Sequence, residues 1–440
     1  MKRGIVLAGG GSRGAYEIGF WQAIRELGIT YQIVTGSSVG ALNGAMLAAG
    51  NFDRAKEMWL GLHTEDVILR SGRRRALMPD MKLLPESMKA VFLDFLGEAI
   101  TIKMDPSPLK SLMGVWFDEA QMRQSGVNYG MMTTEYPSMK PAPFLLSDIP
   151  EGMLPEYMMA TSAVFPSMQP REINGKRYID GGYSDNMPVN LALDMGADEI
   201  IAVDLKAAGL ERGYETDLPV RVIRPQWPLG KSMEWDVALS AKNLIMGYND
   251  TMKSFGYMDG FRYSFTPGTA ASLMHACMES LPALLVGTGI YADAAAKDFT
   301  RTKLARTVAE NRHLRPGRMP DLFGIVCAEI AGECFELDPT PVYSAPDFTA
   351  EIAKAFLPYW KQGASRVELA LGAERDLRHR SALLRKLERR DIISFIYAQI
   401  APAMTGAKLP HEYRLLAGFV PQELWAALWL YSVTNLTPGK

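Results

Sequence analysis

Three short stretches of this chain bring together residue types that can do chemistry. The first, VLAGGGSRGAYEIG at residues 6–19, contains Gly9-x-Gly11-x-x-Gly14 directly after an apolar run, Ile5-Val6-Leu7-Ala8. The second is Gly36-Ser37-Ser38-Val39-Gly40, a serine set between glycines. The third is Asp180-Gly181-Gly182, inside KRYIDGGYSDNMPV at residues 176–189. Glycines at the first spacing mark dinucleotide-binding loops, in which backbone amides meet a pyrophosphate. Such a site also needs an acidic residue roughly twenty residues further on, at the end of the second strand, to hold the ribose. No Asp or Glu occurs between Glu26 and Asp53, so a nucleotide-binding oxidoreductase explains only the glycines.

A G-x-S-x-G between a strand and a helix turns the chain sharply and exposes the serine hydroxyl at a helix N-terminus. Free N–H groups and the helix dipole there favour developing negative charge. Alone, the pattern fits a helix-capping turn as well as a nucleophile. A nucleophile also needs donors for the oxyanion of its tetrahedral intermediate. The loop carrying Gly9, Gly10, Gly11 and Gly14 can present unobstructed amides to the same sheet edge, with the Val39 N–H as a further donor. Arg13 reads as a stabiliser of that loop, as a partner for an anionic head group, or as a surface ion pair.

The serine then needs a base. The chain has five histidines, His63, His275, His313, His379 and His411, none beside a glycine turn at the end of a convincing strand. Asp180 meets that description: it ends a short strand, and Gly181-Gly182 bend the chain at once. Asp-Gly is by itself commonly just a turn. Asp185 and Asp204 compete; Asp204 also ends a strand, but no glycine turn follows it.

The elements that must position these residues alternate in the α/β manner. Strands are expected at 5–8, 32–35, 128–133, 144–146, 177–179, 199–204 and 220–223, with helices at 15–27 and 38–49. This pattern predicts a three-layer α/β/α sandwich with a mostly parallel central sheet. Residues 52–125 interrupt it with a basic cluster, Arg70, Arg73, Arg74 and Arg75. An amphipathic stripe follows, Leu84, Met88, Val91, Phe92, Phe95 and Ala99. These residues are expected to form a lid insertion within 70–125 that meets a lipid surface, or a helix packed on the core. From about residue 258 helical periodicity dominates, over 350–371, 376–401 and 421–435. The Pro/Gly-rich segment 312–320 is the best linker candidate, and the cations of 378–390 read as a solvated face or a membrane-facing one.

Composition narrows the classes. The chain has 440 residues, 48% of them apolar, and a formal net charge of −2, which argues against nucleic acid as a partner. Three cysteines, Cys277, Cys327 and Cys334, give neither a disulfide framework nor a C-x-x-C. The four apolar residues before the glycines are no secretory segment, and the longest apolar run, 424–431, is too short to span a bilayer. A cytoplasmic protein, peripheral to a membrane at most, is expected. No cluster at metal-ligand spacing appears, so neither metal nor other cofactor is expected.

In this order, Gly9-Gly10-Gly11-Ser12-Arg13-Gly14, Gly36-Ser37-Ser38-Val39-Gly40 and Asp180-Gly181-Gly182 resemble the patatin-like phospholipase family. ATSAVFP at 160–166 is similar to that family's segment before its aspartate, and NLIMGYNDT at 243–251 to the helix closing its domain. The likeness covers residues 1–257; residues 258–440 resemble nothing identified. Ala8 stands where family members often have Asp. The resemblance implies an acyl hydrolase acting on phospholipid or other acyl-lipid esters through a Ser38–Asp180 dyad, with an acyl-enzyme intermediate and no histidine. An aspartate of ordinary pKa, about 4, is a poor base for an alcohol, so desolvation and contact with Ser38 are expected to strengthen it. Two alternatives remain: a Ser-His-Asp esterase, for which His275 and His313 stand in suitable order, and a non-enzymatic binding module on the same fold.

Overall fold

Aliphatic runs build the central sheet of the computed structural model, which describes residues 1–75, 102–287, 319–372, 377–404 and 419–435. The chain divides into two units, Met1–Phe255 and Gly256–Lys440. In the first, β1 (Arg3–Leu7), α1 (Ala15–Glu26), β2 (Ile33–Ser37) and α2 (Val39–Ala49) follow as expected. Helices α3 (Phe52–Gly61) and α4 (Thr64–Val67) lead to an antiparallel pairing absent from the expectation, β3 (Leu69–Arg75) against β4 (Ile102–Asp105). Arg70, Arg73, Arg74 and Arg75 fall on β3; the amphipathic stripe at 84–99 lies outside the described residues. Next come α5 (Ser107–Trp116), α6 (Glu119–Gln124), β5 (Asn128–Tyr136), β6 (Lys140–Leu145) and α7 (Leu154–Thr161). The unit closes with β7 (Arg171–Ile173), β8 (Lys176–Asp180), α8 (Val189–Asp194), β9 (Glu199–Val203), β10 (Val220–Ile223) and α9 (Val237–Ser254).

These strands form one eight-stranded sheet, ordered β10-β9-β1-β2-β5-β8-β7 with β6 also on β5. The pairs from β10 through β5 are parallel, whereas β6, β7 and β8 join antiparallel. Helices cover the sheet, burying β1 and β2 almost completely, as parallel strands require. The register on β5 sets up the site. Thr133 pairs with Ala142 of β6 on one edge and Asp180 of β8 on the other; Met131 pairs with Phe144 of β6 and Gly36 of β2. Strands β2 and β8 therefore share one edge of β5 and run toward each other. β2 ends with Ser37 opposite Met132, and β8 ends with Asp180 opposite Thr133, the next rung. Two carboxyl ends meet head to head.

The second unit carries a two-stranded pairing of β11 (Ser264–Phe265) with β12 (Val342–Tyr343). Its helices are α10 (Thr269–Gly287), α11 (Met319–Cys334), α12 (Ala345–Phe356), α13 (Trp360–Gly372), α14 (Leu377–Leu384), α15 (Arg389–Met404) and α16 (Pro421–Asn435). The helix expected over 350–371 is broken at Pro358, which cannot donate to the ladder. α16 is apolar on nearly all faces because α10, α11 and α15 surround it. Buried Glu329 of α11 accepts the amides of Phe261, Arg262 and Tyr263, tying that loop to the bundle. The cation run at 378–390 is partly internal: Arg389 bonds Glu423 at 2.6 Å and Gln422 at 2.8 Å. Of the linker candidate, residues 312–318 lie outside the described residues. No described helix is long and apolar enough to cross a membrane.

Candidate active site

Ser38 sits at the turn from β2 into α2 with φ 51° and ψ −128°, a conformation that costs a non-glycine residue about 1–3 kcal/mol. The flanking glycines make the turn possible. A Cβ on Gly40 would lie 2.2 Å from the Leu7 carbonyl oxygen, and one on Gly36 would lie 2.4 Å from the Gly40 backbone. The turn is held from outside as well: the Ser38 N–H donates to Thr161 Oγ1 at 3.0 Å, and that hydroxyl donates to the Met132 carbonyl. The Ser38 carbonyl accepts from Ala41 and Leu42, which opens α2 and leaves the Val39 amide without an intrahelical acceptor.

Asp180 is 1% exposed. Its N–H donates to the Ala163 carbonyl at 3.0 Å, its carbonyl accepts from Thr134 Oγ1 at 2.8 Å, and its Oδ1 accepts from Gly182 N–H at 2.8 Å. Burial pushes the carboxyl up to about 6, against the opposing pull of the Ser38 hydroxyl and the Gly182 amide. Among the described residues Oδ2 has no hydrogen-bond partner. The Ser38 hydroxyl lines the same pocket as the carboxylate and favours its charged form, without a hydrogen bond between the two at rest. The competing acids go elsewhere. Asp204 pairs with Arg224 at 2.8 Å and accepts from Lys206 N–H. Asp185, pushed by burial up to about 7, does not line the Ser38 pocket.

That pocket is lined by Gly9, Gly10, Gly11, Ser38, Asp180 and Asn186, among others. The glycine loop residues do not all play one part. Gly9 N–H donates to the Asn186 carbonyl at 3.0 Å, so it is not a free donor. Gly10 and Gly11 donate to no acceptor among the described residues. Arg13 is buried, giving its Nε to the Gly230 carbonyl at 2.9 Å and its Nη1 to the Lys206 carbonyl at 2.8 Å. Of the three readings for Arg13, the loop stabiliser is the one these bonds support. Gly14 packs under Val39, Asn43 and Trp59. Asn186, not singled out from the sequence, holds Gly9 from both sides, since its Nδ2 donates back to the Gly9 carbonyl. Its signal was position: six residues past Asp180, in the same loop.

A second, apolar pocket opens from Ser38 between α2, α3 and α5, lined by Leu42, Met58, Trp59, Leu62, Leu109 and Phe117 among others. The two pockets share Gly11, Ser38, Val164 and Met233. A larger cleft of about 390 Å³ lies at the amino end of β5, beside Asn128 and Tyr129, and contains none of the residues above. Among the described residues no histidine lines either pocket at Ser38. His275 is exposed and pairs with Glu279 four residues on, while His313 lies outside the described residues. Among the described residues no group of three His, Cys, Asp or Glu is placed to hold a metal ion.

Residues 5–193 match the family model for patatin-like phospholipase. The chain is 27% identical over 202 residues to a lysophospholipase of Aspergillus terreus, covering 46% of this chain and 12% of that one. It is 27% identical over 216 residues to patatin-like phospholipase domain-containing protein 7 of Rattus norvegicus, covering 49% of this chain and 14% of that one. This chain thus spans only a small part of the length of the curated relatives it matches. Among solved structures, VipD from Legionella pneumophila aligns over 100% of this chain and 92% of its own at 15% identity, with a TM-score of 0.39. On its motifs and the family match together, the first unit carries a patatin-like phospholipase domain, at residues 5–193.

Proposed function

We propose that this protein hydrolyses acyl esters of phospholipids or related lipids through a Ser38–Asp180 dyad. One observation carries the reading: a serine held at positive φ between β2 and α2 faces a buried carboxylate whose Oδ2 has no other partner. Ser38 Oγ attacks the ester carbonyl carbon while its proton passes to Asp180. The carbonyl oxygen, now an oxyanion, is met by the amides of Gly10, Gly11 and Val39. Collapse breaks the acyl–oxygen bond, and the departing alcohol takes the proton back from Asp180. Water then attacks the Ser38 acyl ester, giving a proton to Asp180, and as the acyl–Oγ bond breaks Asp180 returns that proton to Ser38 Oγ and the fatty acid leaves.

A carboxyl raised to about 6 suits this role: it is ionised at neutral pH yet more basic than an exposed aspartate. The experiment is steady-state hydrolysis of a lysophospholipid by wild type, Ser38→Ala, Asp180→Asn and the double variant. Each single change should lower turnover at least about a hundredfold, with the double no worse than the more severe single, because both residues serve one proton transfer. Substantial turnover in Asp180→Asn would overturn the dyad, and loss in a folded His275→Ala would favour the triad instead.

A further inference from the structure

The glycine loop is a short span between two anchors. Downstream, the Ser12 N–H donates to the Ser232 carbonyl at 2.8 Å, and Ser12 Oγ donates to the Lys231 carbonyl at 2.7 Å. A Cβ on Gly11, at φ 57°, would lie 1.9 Å from the same Ser232 oxygen, so the approach depends on glycine. Upstream, one residue takes both backbone groups of Gly9. The Asn186 carbonyl accepts the Gly9 N–H at 3.0 Å, and Asn186 Nδ2 donates to the Gly9 carbonyl at 3.2 Å. Between the anchors stand the amides of Gly10 and Gly11, the proposed oxyanion donors. Such amides meet developing charge without reorganising only where their loop is already held in place.

The upstream anchor belongs to the loop that carries Asp180. The N–H groups of Ser184 and Asp185 both donate to the Gly181 carbonyl, at 3.0 and 2.9 Å, so the chain from Asp180 to Asn186 is a closed turn. The Asn186 N–H donates to the Leu210 carbonyl at 2.7 Å and the Leu210 N–H to the Gly182 carbonyl at 2.8 Å, which fastens that turn to the segment after β9. Just beyond, Thr35 Oγ1 of β2 donates to the Pro188 carbonyl at 3.1 Å. Asn186 is buried and closely enclosed. A Cβ on Gly9 would lie 2.3 Å from its Oδ1, and one on Gly209 would lie 2.6 Å from its Cγ. It lines the pocket shared by Ser38 and Asp180. An amide suits the place, because it gives the Gly9 carbonyl a donor without adding a charge to the pocket of the base.

We infer that Asn186 is a positioning residue: its side chain ties the glycine loop to the Asp180 turn and so sets where the Gly10 and Gly11 amides stand relative to the base. The inference rests on the hydrolase reading of Ser38, and its test has one arm that does not. Asn186→Ala removes both the donor and the volume of the side chain, whereas Asn186→Leu restores the volume without the donor. The main-chain bond to Gly9 survives in both, so the comparison reads the side chain alone. In the first arm, kcat and KM are measured on p-nitrophenyl butyrate. In both variants kcat should fall about a hundredfold, the usual result of misplacing a group by about 1 Å, with KM changed less than about threefold. Affinity for an alkylboronic acid, whose adduct with Ser38 puts an oxygen where the oxyanion forms, should fall along with kcat. In the second arm, hydrogen exchange is followed by mass spectrometry. The amides of residues 9–13 should exchange at least about tenfold faster in both variants, while those of α9 keep their wild-type rates. Where the alanine variant does not fold, the leucine variant carries both arms. A leucine variant as active as wild type would make Asn186 a space filler and overturn the inference. A loss lying wholly in KM, or unchanged exchange at residues 9–13 in a folded variant, would overturn it too. Faster exchange there in a protein whose wild type hydrolyses no ester upholds the tether and overturns the hydrolase reading.

Discussion

Replacing Asp180 with asparagine should make the protein more stable and far less active, and the stability gain should depend on pH in a defined direction. The carboxyl is fully buried, and burial raises it from 3.8 to about 6. An acid with a folded value above its unfolded one binds its proton more tightly in the folded state. Its stabilising contribution is therefore full below pH 4 and lost as pH rises through about 6. At pH 7 the ionised group costs folding up to about 3 kcal/mol, two units at 1.36 kcal/mol each. Asparagine has no charge to desolvate, and its amide oxygen still accepts the Gly182 N–H that Asp180 Oδ1 accepts. Urea unfolding of wild type and Asp180→Asn should therefore nearly coincide near pH 4. At pH 7 the two curves should separate by about 1–3 kcal/mol in favour of the variant. Ester turnover should drop about 10²–10⁴-fold, the usual contribution of a general base. A variant less stable than wild type at pH 7, or a gap equal at every pH, would refute the claim that desolvation sets this carboxyl.

Other outcomes follow from the same geometry. Wild-type kcat/KM should rise with pH through about 6 and then level, since the base must be ionised; a flat pH–rate profile between pH 5 and pH 7 contradicts this. Gly40→Ala pushes a methyl to 2.2 Å from the Leu7 carbonyl oxygen and should lower stability by about 1–3 kcal/mol or more, read as a fall in the urea midpoint. Arg13→Ala removes two bonds to the carbonyls of Gly230 and Lys206. It should cost about 1.5–3 kcal/mol for each charged bond while leaving sedimentation with anionic vesicles unchanged; lost vesicle binding in a stable variant would return Arg13 to the head group. Excess EDTA should leave the rate on a soluble ester unchanged, because the proposed oxyanion donors are backbone amides; a drop restored by one divalent ion would show a missed ligand set.

The local parts of the site were legible in the residues because turns are local. Glycines around Ser38 and after Asp180 report backbone constraints within a few positions, and the first two βα units carry their own hydrophobic runs. What the sequence alone did not reveal is non-local. Asp180 ends its strand as expected in the mostly parallel sheet, but the direction of that strand was not legible: β8 runs antiparallel to β5 and meets β2 along one shared edge. Periodicity cannot report strand direction. Arg13 kept three readings because its acceptors, Gly230 and Lys206, lie about two hundred residues away. Gly9 looked like its neighbours until Asn186 was found engaging its amide. The apolar pocket draws on α2, α3 and α5 together, and no stretch of sequence contains it. In the second unit, Pro358 and the turn at 385–388 split helices whose apolar periodicity runs on through them.

The central claim is that Ser38 becomes acylated with Asp180 as its base. Its most direct test is peptide mass spectrometry after brief exposure to a fluorophosphonate, comparing wild type with Asp180→Asn. One adduct per chain is expected, located on Ser38 and formed at least a hundredfold more slowly in the variant. An adduct on another residue, or equal labelling rates in the two proteins, would contradict the account.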